Sequence, residues 1–197
     1  MFEVERDVVR IGIAATTNKA QEMDFFIPLE SLSTSASCGI ISDSRLDLLL
    51  VSGATPQQID MITTACGAVG CIVAFVGNPS NDDAVVWNVI ENVKGKLDSY
   101  EMPNNIGIAD IRLLADEADY LLAFDDEASL FQFLETTPAE QHSGGIYLAS
   151  GRVTFEAFTG MNERIDALIS PCAYLVSSFY SAATSECSVI IGVRIAK

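Results

Sequence analysis

Ile11-Gly12-Ile13-Ala14, followed by Ala20-Gln21-Glu22-Met23-Asp24-Phe25, is echoed later by Ile106-Gly107-Ile108-Ala109, followed by Ala115-Asp116-Glu117-Ala118-Asp119-Tyr120. Both pieces recur at the same spacing, 95 residues (106 − 11 and 115 − 20). An apolar run with an internal glycine, then a run with helical character, repeated in register, is the signature of a duplicated unit. A second pair points the same way. Leu48-Leu49-Leu50-Val51-Ser52-Gly53 matches Ile146-Tyr147-Leu148-Ala149-Ser150-Gly151 at an offset of 98 (151 − 53), as a longer loop in the second copy would produce.

Working outward, Val8 to Thr16 reads as a first strand. Thr17-Asn18 then caps a helix with Ala20, Met23 and Phe26-Ile27 as its stripe, which Pro28 bends or ends. After the polar stretch Ser31 to Ser37, the runs Cys38 to Ile41 and Leu46 to Val51 read as a hairpin around Ser42-Asp43-Ser44-Arg45. Gly53 ends that strand, and Thr55-Pro56 opens a helix with Thr at the N-cap and Pro at N1, carrying Ile59, Ile62 and Cys66 on one face. Gly67 and Gly70 close it, and Gly70 to Gly77 is an apolar, central strand.

The order to this point is βαββαβ. A helix with Ala84, Val85, Trp87 and Val93 follows, ending near Gly95, and reads as a linker. The second unit then takes strand Ile106 to Ile111, helix Leu113 to Phe124, and strand Leu130 to Leu134. After a loop from Glu135 to Gly144 come strand Gly145 to Ala149, helix Thr154 to Ile169, and a last strand, Ser188 to Ile195. The fold expected is α+β, two tandem βαββαβ (ferredoxin-like) domains. The first occupies 1–79, the linker helix 80–103, and the second 104–197 with an insertion at 172–186.

Charge narrows the function. The chain carries 27 acids against 11 bases, a formal net charge of −16. That disfavours nucleic acid and anionic membrane, both of which are held by clustered Lys and Arg. Hydrophobic residues make up 49% of the chain, with a mean hydropathy of +0.30, which leaves apolar surface for partner subunits. The N-terminus lacks a signal-peptide pattern and no run is long enough to span a membrane, so a cytoplasmic protein is the default. The five cysteines, Cys38, Cys66, Cys71, Cys172 and Cys187, are odd in number and mostly embedded in apolar runs, so they read as reduced, buried thiols, and no Cys-x-x-Cys occurs. No cofactor is expected, although an iron–sulfur or metal site shared between subunits stays open.

Catalytic chemistry is poorly supplied. The sole histidine, His142, has no G-x-S-x-G nearby, and neither phosphate-loop pattern is present. The reading is therefore non-enzymatic. Interest falls on two polar loops, Ser42, Asp43, Ser44 and Arg45 in one unit, and Thr136, Thr137, Glu140, Gln141, His142 and Ser143 in the other. If three chains close into a ring, these loops meet at its axis and line an aqueous pore.

On Ile11-Gly12-Ile13, Ile106-Gly107-Ile108, and the strand-ending glycines Gly53 and Gly151 with their following helices, the chain resembles the two-domain shell proteins of bacterial microcompartments (BMC domains). Asn78-Pro79 after the fourth strand is similar too. The resemblance implies a homotrimer shaped as a pseudohexameric tile, packing with other shell proteins and passing small polar metabolites through its pore. The lysine usual after the first helix of such tiles has no equivalent in Pro28 to Ser33 or Phe124 to Ala128. Paired ACT-type regulatory domains share the βαββαβ plan and form the alternative, although their Asp-x-Pro-Gly turn is missing. A dimeric ferredoxin-like enzyme is a third reading.

Overall fold

Leu48-Leu49-Leu50-Val51 is buried at every position, and that fact places it inside a sheet covered on both faces. The computed structural model of the chain describes residues 9–16, 25–32, 37–99, 101–103 and 105–195. The strands are β1 (Ile11–Ala15), β2 (Phe26–Pro28), β3 (Leu48–Val51), β4 (Ile72–Gly77), β5 (Tyr120–Phe124), β6 (His142–Ser150), β7 (Tyr174–Tyr180) and β8 (Cys187–Val193). They form one eight-stranded sheet in the order β2-β1-β3-β4-β5-β8-β6-β7. β8 runs antiparallel to both its neighbours, and every other adjacent pair is parallel.

Alternation along the strands feeds two layers of helix. Ile11, Ile13, Leu48, Leu50, Ala74 and Val76 face one side, where they meet Val86, Val89, Ile90 and Val93 of α3 (Asp83–Asp98) and Ile111 and Leu114 of α4 (Ile108–Glu117). Ala14, Leu49 and Val51 face the other side, against Ile41 of α1 (Ser37–Ser44) and Ile62, Ala65 and Cys66 of α2 (Pro56–Val69). On that same side, α5 (Glu127–Thr136) and α6 (Phe155–Leu168) cover β5, β6 and β8 through Leu130, Phe131, Leu134, Met161 and Ile165. The result is a three-layer α/β/α sandwich.

This overturns the expected pair of βαββαβ domains. The repeated stretch that suggested them adopts two different structures. Ile11-Gly12-Ile13-Ala14 lies in β1, paired with β3 from Ile11↔Leu48 to Ala14↔Val51. Ile106-Gly107-Ile108-Ala109 is instead the entry to α4: the Asp110 carboxylate accepts the Gly107 N–H at 2.8 Å and closes the first turn. Ile111 and Leu114 then fall at helical spacing on the core. The four residues are identical and the capping acid three positions on decides between strand and helix.

Further expectations change. Cys38 to Ile41 belongs to α1, so no hairpin forms around Ser42-Asp43-Ser44-Arg45. Leu130 to Leu134 lies in α5, begun by Asp126, whose carboxylate accepts the Ser129 N–H at 2.9 Å. Tyr120 to Phe124 is β5 rather than the end of a helix. The stretch read as an insertion supplies β7, hydrogen-bonded to β6 from Gly144↔Tyr174 to Ser150↔Tyr180. The stretch read as a linker supplies α3, whose Trp87, Val89, Ile90 and Val93 are buried in the central core. The helix expected from Thr17 falls largely outside the described residues, and Phe26 and Ile27 at its end belong to β2.

Candidate ligand-binding crevice

In an open parallel sheet, ligands collect outside the carboxyl ends of the strands, at the point where successive connections leave in opposite directions. Here that point lies between β1 and β3. The chain leaves β1 to form β2 on one side, then crosses back to form β3 on the other.

The walls of this point are built by a short, well-determined turn. β3 ends at Val51, the Ser52 N–H donates to the Ala14 carbonyl at 2.9 Å, and Gly53 takes φ +77°, a left-handed conformation that a side chain would oppose. Thr55 then caps α2. Its hydroxyl accepts the Gln58 N–H at 3.3 Å, and the Gln58 Oε1 accepts the Thr55 N–H at 3.0 Å. The Gln58 Nε2 donates to the Leu29 carbonyl at 2.8 Å, which ties α2 to the 3-10 turn Leu29–Leu32.

Between these pieces lies a crevice of about 310 Å3, lined by Thr16, Leu29, Glu30, Thr55, Gln57, Gln58 and Met61. Among the described residues, no Lys or Arg lines it. Leu29 and Met61 supply an apolar wall, while Thr16, Glu30 and Gln57 supply polar groups. The start of α2 is poorly placed to hold phosphate, because Pro56 has no N–H and the capping box already engages the amides of Thr55 and Gln58.

Two other concavities differ in character. One of about 230 Å3 lies beyond β4 and β5, between Asn78, Ser80, Phe124, Ser129, Phe133 and Thr136. Its main polar group is spent: the Asn78 Nδ2 donates to the Ala123 carbonyl at 3.0 Å and its Oδ1 accepts the Ser80 N–H at 2.8 Å. Another of about 390 Å3 lies at the opposite, amino end of β4, where Ile72, Ile108 and Leu113 dominate.

The residues read from sequence as a pore are scattered. Ser42, Asp43 and Ser44 form the last turn of α1, and Arg45 follows at φ +50°. Thr136 ends α5 and Thr137 caps it, Glu140 and Gln141 lie in a 3-10 turn, and His142 and Ser143 begin β6. Arg45 leads into β3 and His142 opens β6, four strand spacings away, or about 19 Å across the sheet. Of the three concavities described, the one beyond β4 and β5 is lined by Thr136.

His142 is fully buried, with its Nδ1 3.2 Å from the Leu168 carbonyl, and its Nε2 and the Ser143 Oγ have no partner within the described chain. It packs beside the Phe133 ring and faces no solvent-filled axis. The shell-tile reading needs two βαββαβ domains to supply equivalent loops, and the continuous sheet removes it. With it go the homotrimer, the shell-protein partners, the pore and the microcompartment location. The ACT-type alternative rests on the same βαββαβ plan and falls with it.

Sequence reasoning placed Thr55 and Pro56 correctly at the head of α2 but assigned no site there. The usable signal was the apolar strand ending in Gly53, followed within two residues by a helix cap. Thr16 and Glu30 had no signal, because only the crossing from β2 to β3 brings them to α2. No described helix is long and apolar enough to cross a membrane. Among the described residues, no group of three or more His, Cys, Asp or Glu side chains is arranged to hold a metal ion.

No family model and no curated protein matches the chain. Among solved structures it is similar to CetZ from Methanosaeta thermophila, at 10% identity and a TM-score of 0.47, covering 96% of this chain and 62% of that one. It is also similar to an FtsZ variant from M. jannaschii, at 11% identity and a TM-score of 0.42, covering 80% of this chain and 59% of that one. The chain thus spans about three-fifths of the length of each.

Proposed function

We propose that the chain is a non-catalytic binding module whose ligand sits in the crevice between β1, β3 and the start of α2. The observation that carries this reading is the reversal of strand connections at β1, which opens a crevice where an α/β sheet holds its ligands. The volume, about 310 Å3, lies at the lower end of the range for small-molecule sites.

The lining selects the ligand class. A flat apolar body fits against Leu29 and Met61, and hydroxyl or amino donors find the Glu30 carboxylate and the Thr16 hydroxyl. With a carboxylate present, no base among the described lining residues and the Thr55 and Gln58 amides engaged, phosphate is disfavoured. A nucleoside, with its planar base and ribose diol, has this chemistry without the phosphates.

Calorimetric titration with adenosine, guanosine, their triphosphates and inorganic phosphate tests the reading. Nucleoside binding is expected, weakened about tenfold in Glu30→Gln by loss of a charge-assisted hydrogen bond. Triphosphate binding at least tenfold tighter than nucleoside binding, or nucleoside affinity unchanged in Glu30→Gln, overturns it.

A further inference from the structure

The end of α2 carries a feature independent of the crevice at its start. Gly70 stops the helix at φ +74°, and its N–H and that of Cys71 both turn back to the Cys66 carbonyl, Cys71 at 3.0 Å. This is a Schellman closure, a six-residue ring whose first and last side chains are pressed together, normally as an apolar contact. In this chain both positions are cysteine. Cys66 and Cys71 are free thiols, 0% and 6% exposed, in the core between α2 and the sheet. Both side chains lie in the same core cluster, and the Cys71 thiol donates to the Ile72 carbonyl at 3.4 Å.

The turn covering the pair is thin. Gly67, Ala68, Val69 and Gly70 are all exposed, and a Cβ added at Gly67 or Gly70 would meet nothing within 4 Å. Gly67 weakens the last helical turn, so its opening is a low-energy local event that uncovers both sulfurs.

We propose that Cys66 and Cys71 form a reversible dithiol–disulfide site, oxidised by a hydroperoxide when the last turn of α2 opens. Cys71, 6% exposed against 0% for Cys66, is the sulfur nearer solvent and the attacking one. The neighbouring Cys66 thiol holds the Cys71 thiol below the ordinary cysteine range, against opposing contributions from burial and from Asp47. The neighbouring Cys71 sulfur, with burial, pushes Cys66 up and keeps it protonated.

With hydrogen peroxide, the Cys71 sulfur attacks one peroxide oxygen, the O–O bond breaks, and water leaves, with Cys71 oxidised by two electrons to a sulfenic acid. The Cys66 sulfur then attacks the Cys71 sulfur, forming the S–S bond. The sulfenic hydroxyl departs with the Cys66 proton as a second water. Two thiols and one peroxide thus give one disulfide and two waters, and a reducing dithiol such as dithiothreitol restores both thiols by exchange.

The test uses the full chain, treated with graded hydrogen peroxide, alkylated under denaturing conditions and mapped by mass spectrometry. The expected product is an intramolecular Cys66–Cys71 link, two hydrogens lighter than the dithiol and reversed by dithiothreitol. Cys66→Ser stops at a sulfenic acid on Cys71 that dimedone captures, and Cys71→Ser forms no link. Gly67→Ala, which keeps both thiols and firms the last turn, slows oxidation about fourfold. Full alkylation of Cys66 and Cys71 while exposed Cys172 oxidises between molecules overturns the assignment, as does dimedone capture on Cys66 in place of Cys71.

Discussion

The Lys96 ammonium is enclosed by the chain that follows its own helix, donating to the main-chain carbonyl of Pro103 at 2.9 Å. It also donates to the Glu101 carbonyl at 2.7 Å. Burial holds this ammonium below the ordinary lysine range, opposed by the nearby Glu101 carboxylate. A lysine otherwise expected on a helix surface thus anchors the connection from α3 to α4.

Lys96→Met preserves the aliphatic stem and removes both hydrogen bonds, leaving the Glu101 carbonyl without its donor while the Pro103 carbonyl keeps that of the Ser178 hydroxyl at 2.8 Å. The expected loss is about 3 kcal/mol of unfolding free energy, read by urea denaturation. A change below ~0.5 kcal/mol would mean that the Glu101 carbonyl finds another donor at no cost.

His142 gives a pH dependence whose sign is fixed. Burial holds its imidazole below the ordinary value of 6.5, against the opposing effects of the Leu168 carbonyl and the Glu140 charge. The unfolded chain therefore takes up a proton at a higher pH than the folded chain does. The stability contributed is fully present above pH 6.5 and is lost as pH falls through 6.5 toward the lower folded value. As this is the only histidine, His142→Gln should flatten the stability profile between about pH 7 and 5.5 relative to the parent. Parallel profiles in denaturant titrations at the two pH values would contradict the assignment.

Two glycines should respond in opposite directions. A Cβ at Gly192 would fall on the Ser143 Oγ and within 2.8 Å of the Leu114 Cδ1, where β8 meets α4. Gly192→Ala should cost about 2 kcal/mol through overpacking. Gly67→Ala meets open space and should add about 0.8 kcal/mol through helix propensity. Thermal melts of the two variants, compared with the parent, check both signs.

Thr55→Ala removes the hydroxyl that caps α2 while leaving the Gln58 contact with the Leu29 carbonyl available. About 1 kcal/mol should be lost, and Thr55→Ser should recover most of it. Equal stability of the two variants, measured by denaturant unfolding, would show that the cap contributes little.

Strands and helices with strong local signals were legible. Thr55-Pro56 and Gly70 bound α2 as a cap and a left-handed stop, and both were readable as such because their chemistry is local. The apolar run ending at Gly77 was readable as a buried strand, since a stretch covered on both faces needs no polar alternation. The site was barely legible. Thr55 and Gln58 announce a helix start, but Leu29 and Glu30 reach it only through the crossing from β2 to β3.

What the sequence determined by itself is the set of caps, stops and apolar runs, because each depends on contacts within about one turn. Whether an apolar run became strand or helix was decided by such a cap where one follows it and, where none does, by strand pairing beyond that range. Ile11-Gly12-Ile13-Ala14 is held extended by β3 on one side and β2 on the other, whereas Ile106-Gly107-Ile108-Ala109 has Asp110 to close a turn and α4 to enter. Tertiary structure likewise decided that Leu48 to Val51 and His142 to Ser150 share one sheet, because β8 returns to pair with both β5 and β6. Strand pairing is a long-range choice, set by which two-faced strand gains most from burial on both sides, and a duplicated local pattern carries no information about it.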